Sequence, residues 1–213
     1  MRPAPSSGNC GASTARRFGR TKRRPARGKK TRSRCGRLLA RLGEPADHAL
    51  GRSRGGFGTK VHLLTDGNGL PLNVVVSPGQ AHESQYVAPV LNAVRISGPG
   101  GGRPRQRPHC VAGDKGYSTR PVRGWLRAHG MQPVIPERSD QRAQREHRPG
   151  RRPQFDREVY RRRNVIERAA GLLKEARRIA TRFEKLALHY LAVLKLEIIR
   201  LYAVTLLSFS NTP

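Results

Sequence analysis

The first 43 residues contain no aspartate or glutamate, and the whole chain of 213 carries only 14 acidic residues against 43 Lys and Arg. A net charge of +29 excludes a self-neutralised surface. Such an excess repels itself and is normally kept for a polyanion, with nucleic acid the default partner. Cysteine is scarce too. Cys10, Cys35 and Cys110 are odd in number and far apart, which excludes a zinc knuckle, gives no sign of a disulfide framework and points to a reducing cytoplasm. Long apolar runs are lacking. The last one, Leu186 to Leu207, is interrupted by His189, Lys195, Glu197 and Arg200, so it reads as a packed amphipathic helix and not as a membrane span. The basic amino terminus lacks the apolar stretch of a signal peptide, and no lipidation motif or basic amphipathic anchor is present, so no membrane partner is expected.

What is present divides the chain into three parts. Residues 1–43 are rich in Arg, Lys, Gly, Pro and Ser and have neither helical nor alternating period. They read as a disordered basic tail able to cling to phosphates without sequence preference. Order is expected over residues 44–207, and residues 208–213 form a short tail. Gly51 to Gly56 reads as a loop. Thr59–Thr65 and Leu70–Ser77 read as a hairpin about the turn Asp66-Gly-Asn-Gly69. A helix is expected from Glu83 to Val94, with Val87, Val90, Leu91 and Val94 on one side. Ser97 to Pro108 is a linker. His109–Ala112 is a short buried strand. A helix capped by Ser118 or Thr119 runs to about His129, with Pro121 in its first turn. Met131–Ile135 is a strand, and Pro136–Pro153 an Arg-rich mobile loop. One long helix then runs from Phe155 or Asp156 to about Thr181, and a last one covers Leu186–Leu207. The order of elements implies an α/β layer arrangement with a mixed sheet.

The long helix carries the most informative pattern. Tyr160, Arg163, Glu167 and Lys174 lie at offsets zero, three, seven and fourteen, inside a sector of roughly 60° on an α-helix. Val159, Ile166, Ala170 and Leu173 occupy the neighbouring sector and face a core. A carboxylate between cations on a rigid helix can present a metal ligand to a phosphate backbone. The commoner role of an Arg-rich helix is a solvated basic face, and the helix alone does not separate the two. Asp114 is the second candidate. It follows a short apolar strand, where α/β folds place functional groups, although most such residues only start a turn.

These segments resemble, in order, the DDE transposases of bacterial insertion sequences. Tyr160, Arg163, Glu167 and Lys174 match the signature around the last carboxylate of that family. Ala112-Gly-Asp-Lys-Gly-Tyr117 resembles the segment around its middle Asp. Gly51 to His62, Ser77-Pro-Gly-Gln80, Ile135-Pro-Glu-Arg138 and Arg178-Ile-Ala-Thr-Arg182 resemble other family segments. The chain is similar to the carboxy-terminal catalytic part of the IS-five type from about Glu44 to Leu207. The resemblance implies a ribonuclease H-like mixed sheet flanked by helices, with DNA ends and target as partners. It implies Mg²⁺ or Mn²⁺, two ions in the intact family, held by carboxylates that include Asp114 and Glu167. Arg163 and Lys174 would steady phosphates, Tyr160 would sit beside the backbone, and the protein would act as a homo-oligomer on nucleoid DNA.

One departure stands out. The resemblance requires a first Asp on an upstream strand, within Asp-Ser-Thr. This chain has no acidic residue before Glu44, and Ala12-Ser13-Thr14 keeps only the Ser-Thr. The tail therefore reads as out-of-frame or replaced sequence, the sheet as missing its first strand, and cleavage as impaired. Asp47 and Asp66 read as loop and turn residues. His62 reads as a packed strand residue, His82-Glu83 as a helix cap, and Trp125 and Leu126 as core anchors. Three functions remain: an impaired transposase, a non-catalytic DNA-binding transposase fragment, and a general basic nucleic-acid-binding protein.

Overall fold

The computed structural model describes residues 10–20, 38, 42–98, 100–147 and 155–210, with the backbone alone over 10–20 and 209–210. The strands are β1 (Cys10–Arg20), β2 (Gly51–Ser53), β3 (Gly56–Thr65), β4 (Pro71–Pro78), β5 (Cys110–Gly113) and β6 (Gln132–Val134). The helices are α1 (Val87–Asn92), α2 (Arg120–Ala128), α3 (Ser139–Glu146), α4 (Arg157–Arg161), α5 (Asn164–Glu175), α6 (Arg177–Ala180) and α7 (Ala187–Ser210). Strand order is β2-β3-β1-β5-β6, with β4 paired to β3. This is the mixed α/β arrangement expected.

Two expectations about the amino-terminal stretch need correction. Residues 10–20 form a strand where disorder was expected, and that strand pairs parallel with β5, so the sheet does not lack a strand before the hairpin. The composition hid it, because Gly, Ser and Arg give no alternating apolar pattern for a period reading to detect. A strand flanked by partners needs only its backbone hydrogen bonds to be placed. Residues 1–9, 21–37 and 39–41 lie outside the described residues. Cys110 is disulfide-bonded, which the spacing of the cysteines did not suggest. Its register neighbour on β1 is Cys10. Parallel pairing sets side by side residues that are remote in sequence.

The chain divides into two compact units. The first takes in residues up to Ala15, His62–Asn73 and His82–Ala169. In it β5, buried along its whole length, runs parallel to both β1 and β6, with Ala112 beside Ala12 on one side and Val134 on the other. The hairpin turn forms as expected. Asp66 Oδ1 accepts the backbone N–H groups of Asn68 (2.9 Å) and Leu70 (2.8 Å), and Gly69 adopts a φ of +97° that a side chain would resist. Val87, Val90, Leu91 and Val94 are buried as the period implied. The helix itself starts late. A 3-10 turn at Glu83–Tyr86 precedes α1, because Pro89 has no N–H to return to the carbonyl of Gln85. Thr119 caps α2, its hydroxyl accepting from Val122 N at 3.4 Å. Leu126 is fully buried, while Trp125 is half-buried and stacks on His129.

Part of the expected mobile loop is helical. Residues 139–146 form α3, and residues 148–154 lie outside the described residues. A helix this polar shows no apolar period. It is held by Gln141, which bonds Ser118, and by an ion pair of Arg145 with Glu137 at 3.1 Å.

The second unit takes in Arg16–Val61, Val74–Ala81 and the chain from Ala170 onward. The expected loop at Gly51 is the short strand β2, antiparallel to β3. Gly79 cannot carry a side chain, since a Cβ there would stand 2.7 Å from the Gly51 carbonyl oxygen and 2.9 Å from that of Gly58. The start of α7 is capped from a distance. Glu44 Oε1 accepts from Ala187 N (2.8 Å) and Glu44 Oε2 from Leu188 N (2.7 Å), and His48 Nδ1 lies 2.7 Å from Glu44 Oε1. Burial works to raise the Glu44 pKa, but the His48 contact and the two N–H donors outweigh it and hold the carboxyl below its ordinary value. A depressed folded-state pKa stabilises at pH above the unfolded value and is lost as pH falls through the folded one. Glu44→Gln is therefore expected to cost about 1–2 kcal/mol at neutral pH. It should also flatten the acid limb of stability below about pH 4.3. Urea midpoints measured from pH 3 to 7 check both. Along α7, Ala187, Tyr190 and Leu194 are buried, whereas Leu196, Ile199, Leu206 and Leu207 are exposed. Beyond Leu194 the helix has no fully buried residue among those described, though Leu201, Tyr202 and Thr205 are half-buried. Among the described residues no helix is long and apolar enough to cross a membrane.

Candidate functional site

The expected single long helix is three. α4 ends at Arg161, Arg162 and Arg163 form a turn, α5 begins at Asn164, and α6 follows Ala176. At the first break the i→i+3 bonds of Arg163 N to Tyr160 O (3.0 Å) and Ile166 N to Arg163 O (3.1 Å) replace the α pattern. Asn164, whose side chain competes for backbone bonds, is a poor helix former at this point. The apolar period runs unbroken through the kink, so periodicity alone could not locate it. The buried stripe holds nonetheless. Ile166, Ala170 and Leu173 are buried, and Val159 packs against the core.

Three of the four signature residues meet along this segment. Tyr160 packs with Val159 against Cys110, Ala112 and Val134, which seats α4 on β5. The guanidinium of Arg163 lies 5.4 Å from the centre of the Tyr160 ring, a cation–π contact. Arg163 Nη2 donates to Glu167 Oε1 at 2.9 Å. The strand that leads to Asp114 and the helix that carries Glu167 are therefore joined by Tyr160 and Arg163. Lys174 is exposed, seven residues further along α5.

Asp114 sits half-buried at the end of β5 with an extended backbone. Its Oδ1 accepts from Lys115 N at 2.7 Å and so caps the 3-10 turn Lys115–Tyr117. That turn is firmly seated. The Tyr117 ring is buried, and its hydroxyl lies 3.2 Å from Nδ1 of the buried His62, which stacks on Tyr86 at 4.4 Å. His62 is thus a packed residue, as read. Glu83, read with His82 as a helix cap, also lies against the turn that follows Asp114. Its carboxylate occupies the volume that a Cβ on Gly116 would need. The signal was the Gly after Asp114-Lys115, but nothing in one sequence says what fills the space above a glycine. His82 caps the 3-10 turn at Ser84, again as read. Ser118 Oγ bonds Gln141 Oε1 (2.6 Å) and receives Arg123 Nη2 (3.0 Å), which ties α3 and α2 to the same turn. Burial lowers the Arg123 pKa, with Glu137 opposing.

The donor set does not suit a pair of divalent cations. Hard cations of this class gather several carboxylate oxygens. Here one Glu167 oxygen is engaged by Arg163, and Asp114 Oδ1 is engaged by a backbone N–H. Among the described residues no group of three or more His, Cys, Asp or Glu side chains converges. Asp47 and Asp66 are occupied in their own turns, where Asp47 Oδ1 accepts from Ala49 N at 2.9 Å.

No solved structure matches the chain. A Burkholderia cepacia protein named as a transposase for insertion sequence element IS402 is 32% identical over 156 residues, covering 73% of this chain and 68% of that protein. The family profile described as "Transposase DDE domain" matches residues 41–200. A stretch that takes in Asp114, the Tyr160–Arg163–Glu167 ladder and Lys174 thus follows one family pattern, and the chain belongs to the DDE transposase domain family.

Proposed function

We propose that this chain is a DNA-engaging transposase domain of the IS-five type, built on a ribonuclease H-like sheet, in which strand cleavage and transfer are severely impaired. The observation that carries the reading is the ladder Tyr160–Arg163–Glu167 packed onto the strand that ends at Asp114. The charge of +29 supports a DNA partner. Asp114 and Glu167 are the surviving metal-ligand positions. Arg163 and Lys174 offer cations to phosphates, and Tyr160 holds Arg163 in place from below. Intact members of such a family use Mg²⁺ or Mn²⁺ bound by three carboxylates, and two carboxylates, each already engaged, do not replace that set. The remaining activity is recognition of element ends or target DNA, as a homo-oligomer in the cytoplasm.

Fluorescence anisotropy with a short DNA duplex at stepped salt tests the binding half. Log affinity should fall steeply with log salt, and Arg163→Ala and Lys174→Ala should each reduce the slope by about one phosphate's worth. A slope unchanged in both variants would remove these residues from the DNA interface. A strand-transfer assay with Mg²⁺ or Mn²⁺ tests the other half. The product should be no greater than that of Asp114→Ala. Vigorous transfer abolished by Asp114→Ala and by Glu167→Ala would overturn the impairment.

A further inference from the structure

The misfit between this chain and a cation pair has an address. β1 pairs with β5 in the register Gly11–Val111, Ala12–Ala112, Ser13–Gly113. Register neighbours in a sheet share a face, and so do residues two apart along a strand. Position 12 therefore lies on the face shared by Ala112 and position 114. It is one strand spacing across from Ala112 and two residues along from Asp114, roughly 8 Å between Cα positions by standard strand geometry. Two aspartates at that separation can reach a common cation. The residue at position 12 is alanine, followed by Ser13 and Thr14. The sequence and the strand register single out the same residue independently.

We propose that position 12 is a vacated ligand position, and that its alanine, not a lost strand, is what disables cation binding in this chain. The backbone that would carry the ligand is present and paired. One carboxylate at position 12 supplies the charge and the oxygens that Asp114 lacks beside it. The inference rests on Asp114 being a surviving ligand position, as read above.

Mn²⁺ binding to the full chain, measured by electron paramagnetic resonance, tests it without any need for activity. Ala12→Asp should tighten Mn²⁺ binding over the parent by at least about tenfold, the scale on which ligand charge tunes hard-cation affinity. Ala12→Asn, which has the same shape without the charge, should not. Asp114→Asn placed in the Ala12→Asp background should cancel the gain. No gain in an Ala12→Asp protein whose circular dichroism matches the parent would overturn the proposal. A gain that survives Asp114→Asn would overturn it as well, because the new site would then lie elsewhere. The salt dependence of DNA binding, read on the same variants, keeps the two readings apart. Absent DNA binding with a metal gain defeats only the DNA reading, and retained DNA binding without a metal gain defeats only this inference.

Discussion

Arg182→Ala is expected to cost at least about 4 kcal/mol, enough to leave the protein marginal or unfolded if its stability is in the usual range of 5–15 kcal/mol. Arg182 is 2% exposed, an unusual place for a guanidinium. Its hydrogens are spent on the carbonyls of His48 (2.8 Å), Ala49 (3.2 Å), Glu184 (3.1 Å) and Lys185 (3.3 Å) and on the hydroxyl of Thr59. His48 and Ala49 hold left-handed φ values of 52° and 50°. Such conformations cost energy in residues with a Cβ, and here the two carbonyls bond the guanidinium. The cation also lies 5.0 Å from the Tyr190 ring, and burial pushes the Tyr190 hydroxyl pKa up. Burial lowers the Arg182 pKa, while Tyr190, Glu44, Glu184 and Asp47 support the charge. Deleting the side chain orphans several buried acceptors at about 1–3 kcal/mol each and opens a cavity. Lysine keeps the charge but has three donors and no planar fork, so Arg182→Lys should lie midway. Urea unfolding checks the series: the midpoint should fall in the order Arg, Lys, Ala, with the slope unchanged. A loss under about 1 kcal/mol for the alanine variant would mean that the surrounding carbonyls find other partners.

This hub also marks where sequence reading stops. The segment Arg178 to Arg182 could be aligned with a family pattern, but nothing in it says that Arg182 is buried, because its acceptors at His48 and Ala49 are more than 130 residues away. Elements that announce themselves locally were legible. The Asp66–Gly69 turn, the Thr119 cap and the stripe Ile166, Ala170, Leu173 follow from turn chemistry, capping and period. Elements that owe their form to distant partners were not. β1 exists through pairing with its neighbours, α3 through Gln141 and Glu137, and the seat of the turn after Asp114 through the packing of Tyr117 on His62. The site divides in the same way. Spacing located Tyr160, Arg163 and Glu167 on one face, and the structure shows ring, guanidinium and carboxylate in contact there. The vacancy in the ligand set was visible as an absence of acidic residues. Ala12-Ser13-Thr14 marked its place in the sequence, and the strand register sets that position beside the strand that ends at Asp114.

Leu173→Ala is expected to cost about 2–5 kcal/mol, and Leu172→Ala no more than about 0.5 kcal/mol. The two leucines are adjacent on α5 and chemically identical, but Leu173 is fully buried and Leu172 is 44% exposed. Deleting three carbons from a sealed site loses their transfer free energy and leaves a cavity that neighbours fill only in part. Deleting them from an exposed site loses a little partial burial and keeps a good helix former. The pair thus separates the effect of the buried stripe from hydrophobicity as such. It also bears on the site, because Leu173 and Ile166 lie immediately beside Lys174 and Glu167 and anchor the helix that presents them. If the stripe fixes the helix, Leu173→Ala should weaken DNA binding at concentrations of urea that leave Leu172→Ala unaffected. Equal unfolding midpoints for the two variants would show that α5 is held by something other than its buried face, and the geometry of Glu167 and Lys174 would then need another source.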